Sequence, residues 1–277
     1  SENRGAYVGG VVGTSIYAAV SNCSNTGKIN GTGCTVTNVG GVVGTYGNES
    51  AVTGCYNTGA VYGMSEDGEV SAGGVLGSSF YGSMLGCYST GTVRAEAGSV
   101  VCAGGVVGNN YHCTVTECSN IGAIEGVSEN DSASVGGIAG RNSFVTIKYS
   151  YNTGEVYGMA GDWHADVGGV VGGSYSDSVI GCYNAGSVVG VVKGASIYNC
   201  IHAGGIVGCN TDGVVAGCYY NSTAFSGTAV GKISEAEINV ENRIAEDFAS
   251  GEVSYLLQAN VADTDDNGSS IQIWGQT

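Results

Sequence analysis

The stretch Gly40-Gly41-Val42-Val43-Gly44 decides how this chain folds, because it recurs along most of the sequence. Copies of the pentapeptide, some with Leu, Ile or Ala at the apolar positions, begin at Gly9, Gly40, Gly73, Gly104, Gly136, Gly168 and Gly204. Successive starts are separated by 31, 33, 31, 32, 32 and 36 residues. A unit of this length is too short to bury a hydrophobic core alone, so the units must stack on one another.

Each repeat contains three short runs of β-favouring residues, separated by Gly, Asn and polar residues, and no run has a helical period. This pattern predicts an all-β fold, a parallel β-solenoid of about seven coils over residues 1–231. Strand alternation then points Cys55 inward and Tyr56 outward. By the same rule we expect only one of Val42 and Val43 to face the core, with the other exposed or covered by a loop.

Glycine and asparagine mark the corners of each coil. The repeated glycines are expected where the backbone needs a positive φ or a close approach to another backbone. An asparagine that recurs before Thr-Gly or a similar pair is expected to tolerate the left-handed region at one repeated turn. Its copies are Asn25, Asn57, Asn120, Asn152, Asn184 and Asn221.

The eleven cysteines are odd in number, and six of them follow the repeat. These six lie 13 or 14 residues after the second Gly of their pentapeptide, and Ser150 fills the same slot in the fifth unit. We therefore interpret them as free thiols that act as small buried apolar groups, with disulfides between units as the alternative. The six are Cys23, Cys55, Cys87, Cys118, Cys182 and Cys218.

The repeat dissolves near the C-terminus, where residues 232–277 are acidic and poor in glycine. Val253, Leu256 and Leu257 have helical spacing, which predicts a helix over about residues 245–258 with Ser250 as a candidate N-cap. We expect this helix to cap the last coil, and residues 271–274 to add a closing strand.

Composition excludes several classes of protein. The net charge of −16 repels phosphate backbones, so we expect no nucleic-acid partner. No segment approaches the ~20 apolar residues of a membrane span, so no membrane insertion is expected. The chain has no nucleophile elbow, no phosphate-binding loop and no dinucleotide motif, and we predict that it is not an enzyme.

An outward column of tyrosines is the most prominent candidate binding surface, and it comprises Tyr56, Tyr88, Tyr151, Tyr183 and Tyr219. Aromatic rows on a rigid β-surface suit sugar rings or partner proteins. Tyrosines about 4.8 Å apart also stabilise each other without a ligand, and this alternative stays open. Trp163, in the loop Asp162-Trp163-His164-Ala165-Asp166, is a further candidate for ligand contact, unless the loop is an ordinary exposed insertion.

Acidic residues gather in the loop before each pentapeptide, and stacking would bring them close together. Like charges at close range favour a cation, so we consider a Ca²⁺ site against a solvated acidic ridge. The candidate ligands are Glu66, Asp67, Glu129, Asp131 and Asp162. The segment 263–268 resembles the start of an EF-hand loop, but its twelfth position is Trp274 where a carboxylate is required.

Two groups of cysteine and histidine are candidate zinc ligands: Cys200, His202 and Cys209, and Cys102, His112 and Cys113. Neither group has the paired Cys-x-x-Cys spacing typical of a zinc site, so we predict no metal site there.

The repeat resembles the GLUG-motif proteins, bacterial surface proteins whose units combine this glycine-rich pentapeptide with an Asn-Cys-Tyr-Asn-Thr-Gly-x-Val segment. The match runs over about residues 9–231 and is strongest at residues 51–63 and 149–158. The resemblance implies a secreted or cell-surface location, with this array as a spacer or adhesion module beside neighbouring domains.

Three functions follow from this interpretation. We expect a non-catalytic structural or adhesion module that binds host or matrix glycans or proteins. A carbohydrate-binding module that uses the tyrosine column is the alternative. A β-helix polysaccharide lyase or hydrolase is less favoured, since it needs carboxylates grouped in a cleft.

Overall fold

A computed structural model describes residues 5–194, 199–235, 237–261 and 272–274 of this chain. It is a parallel β-solenoid of about seven turns, which confirms the predicted fold. The turns contribute strands to three parallel sheets, and equivalent residues of successive turns stand in register.

The first sheet comes before the pentapeptides and has seven strands. They are Ala6–Gly9, Val36–Gly40, Glu69–Gly73, Val101–Gly104, Ala133–Gly136, His164–Gly168 and Cys200–Gly204. The third sheet has six strands. They are Ile29–Gly33, Val61–Ser65, Val93–Ala97, Ile124–Ser128, Val156–Ala160 and Val188–Val192.

The second sheet follows the pentapeptides and wraps around a corner, with 19 strand segments. Its longer segments are Val12–Ile16, Val43–Thr53, Leu76–Leu85, Val107–Thr116, Ala139–Ser143, Thr146–Lys148, Val171–Tyr175, Ser178–Ile180, Val207–Thr211, Val214–Asn221, Val230–Ser234 and Glu237–Arg243. Its two-residue segments are Val20–Ser21, Ser24–Asn25, Tyr56–Asn57, Tyr88–Ser89, Ser119–Asn120, Tyr151–Asn152 and Tyr183–Asn184.

The pentapeptide joins two separate hydrophobic cores. Val39, just before it, packs in the core between the first and third sheets, whereas Val42 and Val43 both pack inside the second sheet. The expectation that one of these two valines faces outward is wrong. The amides of Val42 and Val43 both donate to the carbonyl of Val75, at 3.0 and 2.9 Å, so the backbone bends here and does not alternate.

Close backbone approach explains the glycines of the pentapeptide. A Cβ on Gly40 would lie 1.9 Å from the Val43 carbonyl oxygen, and a Cβ on Gly41 would lie 2.1 Å from that of Gly74. The repeated positive φ of glycine is found elsewhere, for example at Gly54 with φ +61°. The pentapeptide therefore needs glycine for space.

The recurring asparagines do not occupy left-handed turns, contrary to expectation. Two runs of them, Asn25 with Asn57 and Asn120 with Asn152 and Asn184, form hydrogen-bonded ladders, and Ser89 stands between the two runs. Asn152 Nδ2 donates to Asn184 Oδ1 at 2.9 Å and to the Gly154 carbonyl at 2.8 Å. Asn120 Nδ2 donates to Asn152 Oδ1 at 2.8 Å. Each side chain thus closes its own turn, and every asparagine except the last of its run also bonds to the next turn.

The cysteine column lies inside the second sheet, as predicted. All eleven cysteines have free thiols, and the column is buried from Cys55 to Cys218, with Cys23 half-buried at its end. Ser150 takes the same position, and its Oγ donates to the Lys148 carbonyl at 2.8 Å. Burial explains why the position accepts a small side chain.

The C-terminal cap is two short helices, α1 (Ala245–Ser250) and α2 (Glu252–Ala259), where one helix was predicted. Gly251 separates them with φ +82°, so Ser250 ends α1 and its Oγ accepts a hydrogen bond from the Glu252 amide. Neither helix is long and apolar enough to cross a membrane.

The predicted closing strand is absent from the part of it that is described, residues 272–274. The amides of Ile273 and Trp274 donate to Gln258 Oε1, both at 2.8 Å, so a side chain of α2 takes the role of a strand partner. Residue 271 and the EF-hand-like segment 263–268 lie outside the described residues.

Candidate functional site

The predicted tyrosine column consists of two stacks, and only one of them is open. The rings of Tyr56 and Tyr88 lie 4.9 Å apart and 2° from parallel, and Tyr88 is 39% exposed. Tyr151 and Tyr183 stack in the same way, at 4.9 Å and 4°. Ser119 separates the two stacks, because it takes the tyrosine position between Tyr88 and Tyr151.

The C-terminal cap covers the second stack. The Trp274 ring lies 6.2 Å from Tyr151 and 5.6 Å from Tyr183, and burial raises the pKa of Tyr183. Tyr219 is 4% exposed and packs with Leu257 of α2 in a third apolar cluster. In contrast to the expectation of an outward column, these three tyrosines form the floor beneath the cap.

The loop at Trp163 divides its chemical groups between two surfaces. Trp163 is 47% exposed, and its ring meets His164 edge-on at 6.0 Å. Asp162 is exposed, whereas Asp166 points into a buried groove and is 1% exposed. The segment 162–166 therefore does not form one site.

The acidic loops do not gather their carboxylates as expected. Gly98 stands in register between Glu66 and Glu129, so these two carboxylates are two turns, or about 10 Å, apart along the column. Lys193 Nζ pairs with Glu129 at 2.8 Å. Among the described residues, no three of Glu66, Asp67, Glu129, Asp131 and Asp162 lie close enough to share a cation. Calcium binding here stays a prediction that the geometry does not favour.

The outer face of the third sheet carries a depression of about 540 Å³ with carboxylates at its edge. Glu125 and Glu155 line it together with Arg94 and Tyr157. Arg94 forms ion pairs with Glu125, at 3.0 Å, and with Glu96. The guanidinium thus occupies Glu125, one of the two carboxylates that an acid–base pair in this depression would use.

A cluster of aromatic rings at one corner of the second sheet was not anticipated from the sequence. The ring of His112 stacks on Tyr81 at 4.7 Å and on Phe144 at 5.2 Å. Tyr111 meets all three rings edge-on, and Phe80 lies 6.1 Å from Tyr111. We call these five residues the aromatic ridge. Phe80, Tyr81 and Phe144 are 46%, 48% and 50% exposed, so this is an open apolar surface.

The three stacked rings occupy backbone positions that bulky residues rarely adopt. One such position recurs eight residues after the first Gly of each pentapeptide, with φ between 50° and 61°. In the other turns it is held by Tyr17, Asn48, Ser176 and Asp212, and Asn and Asp tolerate this region best. An aromatic residue there costs roughly 1–2 kcal/mol, so the rings at Tyr81, His112 and Phe144 are not explained by the turn itself.

A second feature is a groove on the outer side of the pentapeptide corner, where the structure brings together His202 and Cys209 of the zinc group considered above, but with Asp166 in place of the exposed Cys200. In each turn, the side chain two residues before the first Gly of the pentapeptide faces the side chain five residues after that Gly. At the pentapeptide that begins at Gly40, for example, Asn38 Nδ2 donates to Thr45 Oγ1 at 3.0 Å. In the upper turns, those nearest the C-terminus, the same groove holds Asp166, His202 and Cys209. Their ligand atoms all lie within 4.8 Å of one another. Among the described residues, this is the one group that could hold a metal ion.

The thiol in this groove is not prepared for nucleophilic attack. Burial, followed by the carboxylate of Asp166, raises the pKa of Cys209 to about 11. A catalytic cysteine needs the opposite shift, toward a thiolate at neutral pH. The raised pKa of Cys209 therefore argues against a protease-like catalytic triad of thiol, imidazole and carboxylate.

Residues 5–30, which form most of the first turn, match the model of the GLUG motif. This match confirms the resemblance seen in the sequence, and the solenoid fold agrees with a repeat protein. No curated protein and no solved structure matches the chain.

Proposed function

Because the chain is a β-solenoid that carries a GLUG motif, we propose that it is a non-catalytic module of an extracellular, bacterial cell-surface protein. The rod spaces or presents neighbouring domains, and the aromatic ridge adheres to glycans or proteins of the host or matrix.

The observation that supports adhesion is the exposed ring stack of Tyr81, His112 and Phe144. Exposed aromatic side chains offer a large, rigid contact area that loses little entropy on binding. Three consecutive turns place an aromatic residue where the backbone disfavours it, which argues for a role beyond folding. The rigid stack of turns below keeps this surface in a fixed geometry.

The test is binding of the purified chain to a glycan array and to immobilised matrix proteins. The matched variant combines Tyr81→Asn, His112→Asn and Phe144→Asn, because asparagine tolerates the left-handed backbone of these positions. We expect binding to fall at least about tenfold, while the melting temperature stays the same or rises, since backbone strain is relieved.

Two results would overturn the proposed ridge. Unchanged binding by the triple variant would place adhesion elsewhere, and no binding by either protein would leave the spacer role alone. Antibody labelling of intact cells tests the location, because a surface module must be accessible without permeabilisation.

The open stack of Tyr56 and Tyr88 favours the carbohydrate-binding alternative, because the neighbours on its two outer sides are Ser24 and Ser119, which leave one ring face of each tyrosine for a sugar ring. The variant Tyr56→Ser with Tyr88→Ser separates the two surfaces on the same array. Loss of glycan binding in this variant, with binding retained by the ridge variant, would support the alternative.

A further inference from the structure

The groove outside the pentapeptide corner changes its chemistry along the rod. In lower turns it pairs amides and hydroxyls, such as Asn38 with Thr45. In the upper turns Asp166 and His202 are neighbours in the first sheet, and Cys209 faces His202 across the corner. Three side chains of metal-ligating type thus meet where other turns place ordinary polar groups.

These three side chains are buried and already close. Asp166 and Cys209 are 1% and 5% exposed, and the side chain of His202 is 11% exposed. Asp166 Oδ1 and His202 Nδ1 are 2.7 Å apart. Tetrahedral coordination with bonds of about 2.0 Å to nitrogen and oxygen and about 2.3 Å to sulfur needs ligand atoms a little over 3 Å apart, so small side-chain movements suffice.

We propose that Asp166, His202 and Cys209 bind one Zn²⁺ ion, with a water molecule as the fourth ligand. Thiolate, imidazole and carboxylate together are a zinc set, whereas Ca²⁺ requires six or more oxygen ligands. On binding, the metal replaces the hydrogen bond between His202 Nδ1 and Asp166. The ring proton moves to Nε2, and the thiol proton of Cys209 is released to solvent.

The surroundings fit a bound dication. Ser134 precedes Asp166 in the same column, and its buried Oγ has no hydrogen-bond partner, so it can donate to the carboxylate oxygen that does not bind the metal. The thiolate and the carboxylate together balance the charge of Zn²⁺. Arg141 lies in the turn of Ser134, one turn below Asp166 and two turns below Cys209, and Lys232, one turn above Cys209, is exposed to solvent.

The test is titration of metal-stripped protein with Zn²⁺ in competition with a chromophoric chelator, followed by thermal unfolding. We expect one ion per chain, one proton released and a higher melting temperature. Cys209→Ser and His202→Asn should each weaken binding by on the order of 100-fold, since even loss of an outer-sphere partner costs 10–100-fold.

Cobalt substitution identifies the ligand directly. Co²⁺ bound by the wild type should show a sulfur-to-metal charge-transfer band that is missing in Cys209→Ser. The matched control is Cys102→Ser, because Cys102 lies in the same column two turns below Asp166. It should retain both the band and the affinity.

Either of two outcomes would overturn the site: wild-type affinity in Cys209→Ser, or a Co²⁺ complex without the thiolate band. Circular dichroism of each variant shows that a loss of binding is not a loss of fold.

Discussion

Asp177 Oδ2 accepts a hydrogen bond from Asn142 Nδ2 at 2.5 Å, and this contact ends a ladder of buried polar side chains inside the second sheet. Asn142 Oδ1 in turn accepts from Asn110 Nδ2, and Asn110 Oδ1 accepts from Ser79 Oγ, both at 2.6 Å. Ser174 Oγ donates to the other oxygen of Asp177. Burial nevertheless outweighs these donors and raises the pKa of Asp177 to about 6.

This carboxyl group makes stability fall as the pH rises. The folded chain keeps the proton up to about pH 6, whereas the unfolded chain loses it near the ordinary value of 3.8, so stability declines between these two pH values and is level above them. We expect Asp177→Asn to stabilise the protein at neutral pH by about 1–3 kcal/mol and to have little effect near pH 4. Urea unfolding of both proteins at neutral pH and near pH 4 measures this change in the free energy of unfolding. An equal effect at the two pH values would contradict the raised pKa of Asp177.

The asparagine ladder should be costly to interrupt at its centre. Asn152 is fully buried, donates to Gly154 and Asn184 and accepts from Asn120, so Asn152→Ala strands several polar groups. We expect a loss of about 2–4 kcal/mol in the free energy of unfolding. Asn25→Ala is the control, because Asn25 is half-buried and bonds to one other asparagine, Asn57, in the separate lower run, and it should cost less than half as much.

The cap should be stabilised by its apolar contacts with the tyrosine floor. Leu257 is 1% exposed in the cluster with Tyr219, so Leu257→Ala should destabilise the cap by about 2–5 kcal/mol. Hydrogen exchange should accelerate in α2 and around Tyr183 before the lower turns respond. Tyr255→Ala is the control, because Tyr255 is 73% exposed, and an equal effect of both changes would argue against the packing.

Glycine in the pentapeptide is required by space, and a single methyl group tests this. A Cβ on Gly137 would lie 2.1 Å from the Gly169 carbonyl oxygen, so Gly137→Ala should cost about 3 kcal/mol or more. Gly86 has φ +61° and open space around it, so Gly86→Asn should cost roughly 1 kcal/mol or less. Thermal unfolding of the two variants gives the comparison, and the reverse order of cost would refute it.

Thiol accessibility should follow the solenoid. Cys34 and Cys200 are exposed, Cys23 is half-buried, and the other eight cysteines are buried. A thiol reagent should therefore label two sites rapidly in the native protein and all eleven after denaturation. Fewer than eleven thiols in the denatured, unreduced protein would reveal disulfides and contradict the assignment of free thiols.

The sequence predicts the periodic part of this structure well, because a repeated residue must repeat its environment. The seven turns, the cysteine column and the outward face of Tyr56 all follow from the period and from strand alternation. Alternation fails at Val42 and Val43, because the corner bends the strand and a local bend leaves no sign in a pattern of apolar residues.

The candidate sites were harder to predict, because they depend on contacts between turns at non-repeating positions. The ridge could have been found by aligning the units, since Tyr81, His112 and Phe144 share one offset from the first Gly. The Asp166–His202 contact could not, because it spans the longest repeat step, 36 residues, and joins unlike side chains. Likewise, nothing in the repeat shows that the cap folds back over Tyr183.

The even spacing of Asn120, Asn152 and Asn184 has an evolutionary consequence. Duplicating or deleting the whole turn of Asn152 leaves an asparagine beside an asparagine, whereas losing a single residue within that turn breaks the bonds on both sides. Recombination between repeats can therefore lengthen or shorten the rod in whole steps, while point mutation changes its outer surfaces. The length of the rod and the chemistry of its surface can therefore change independently during evolution.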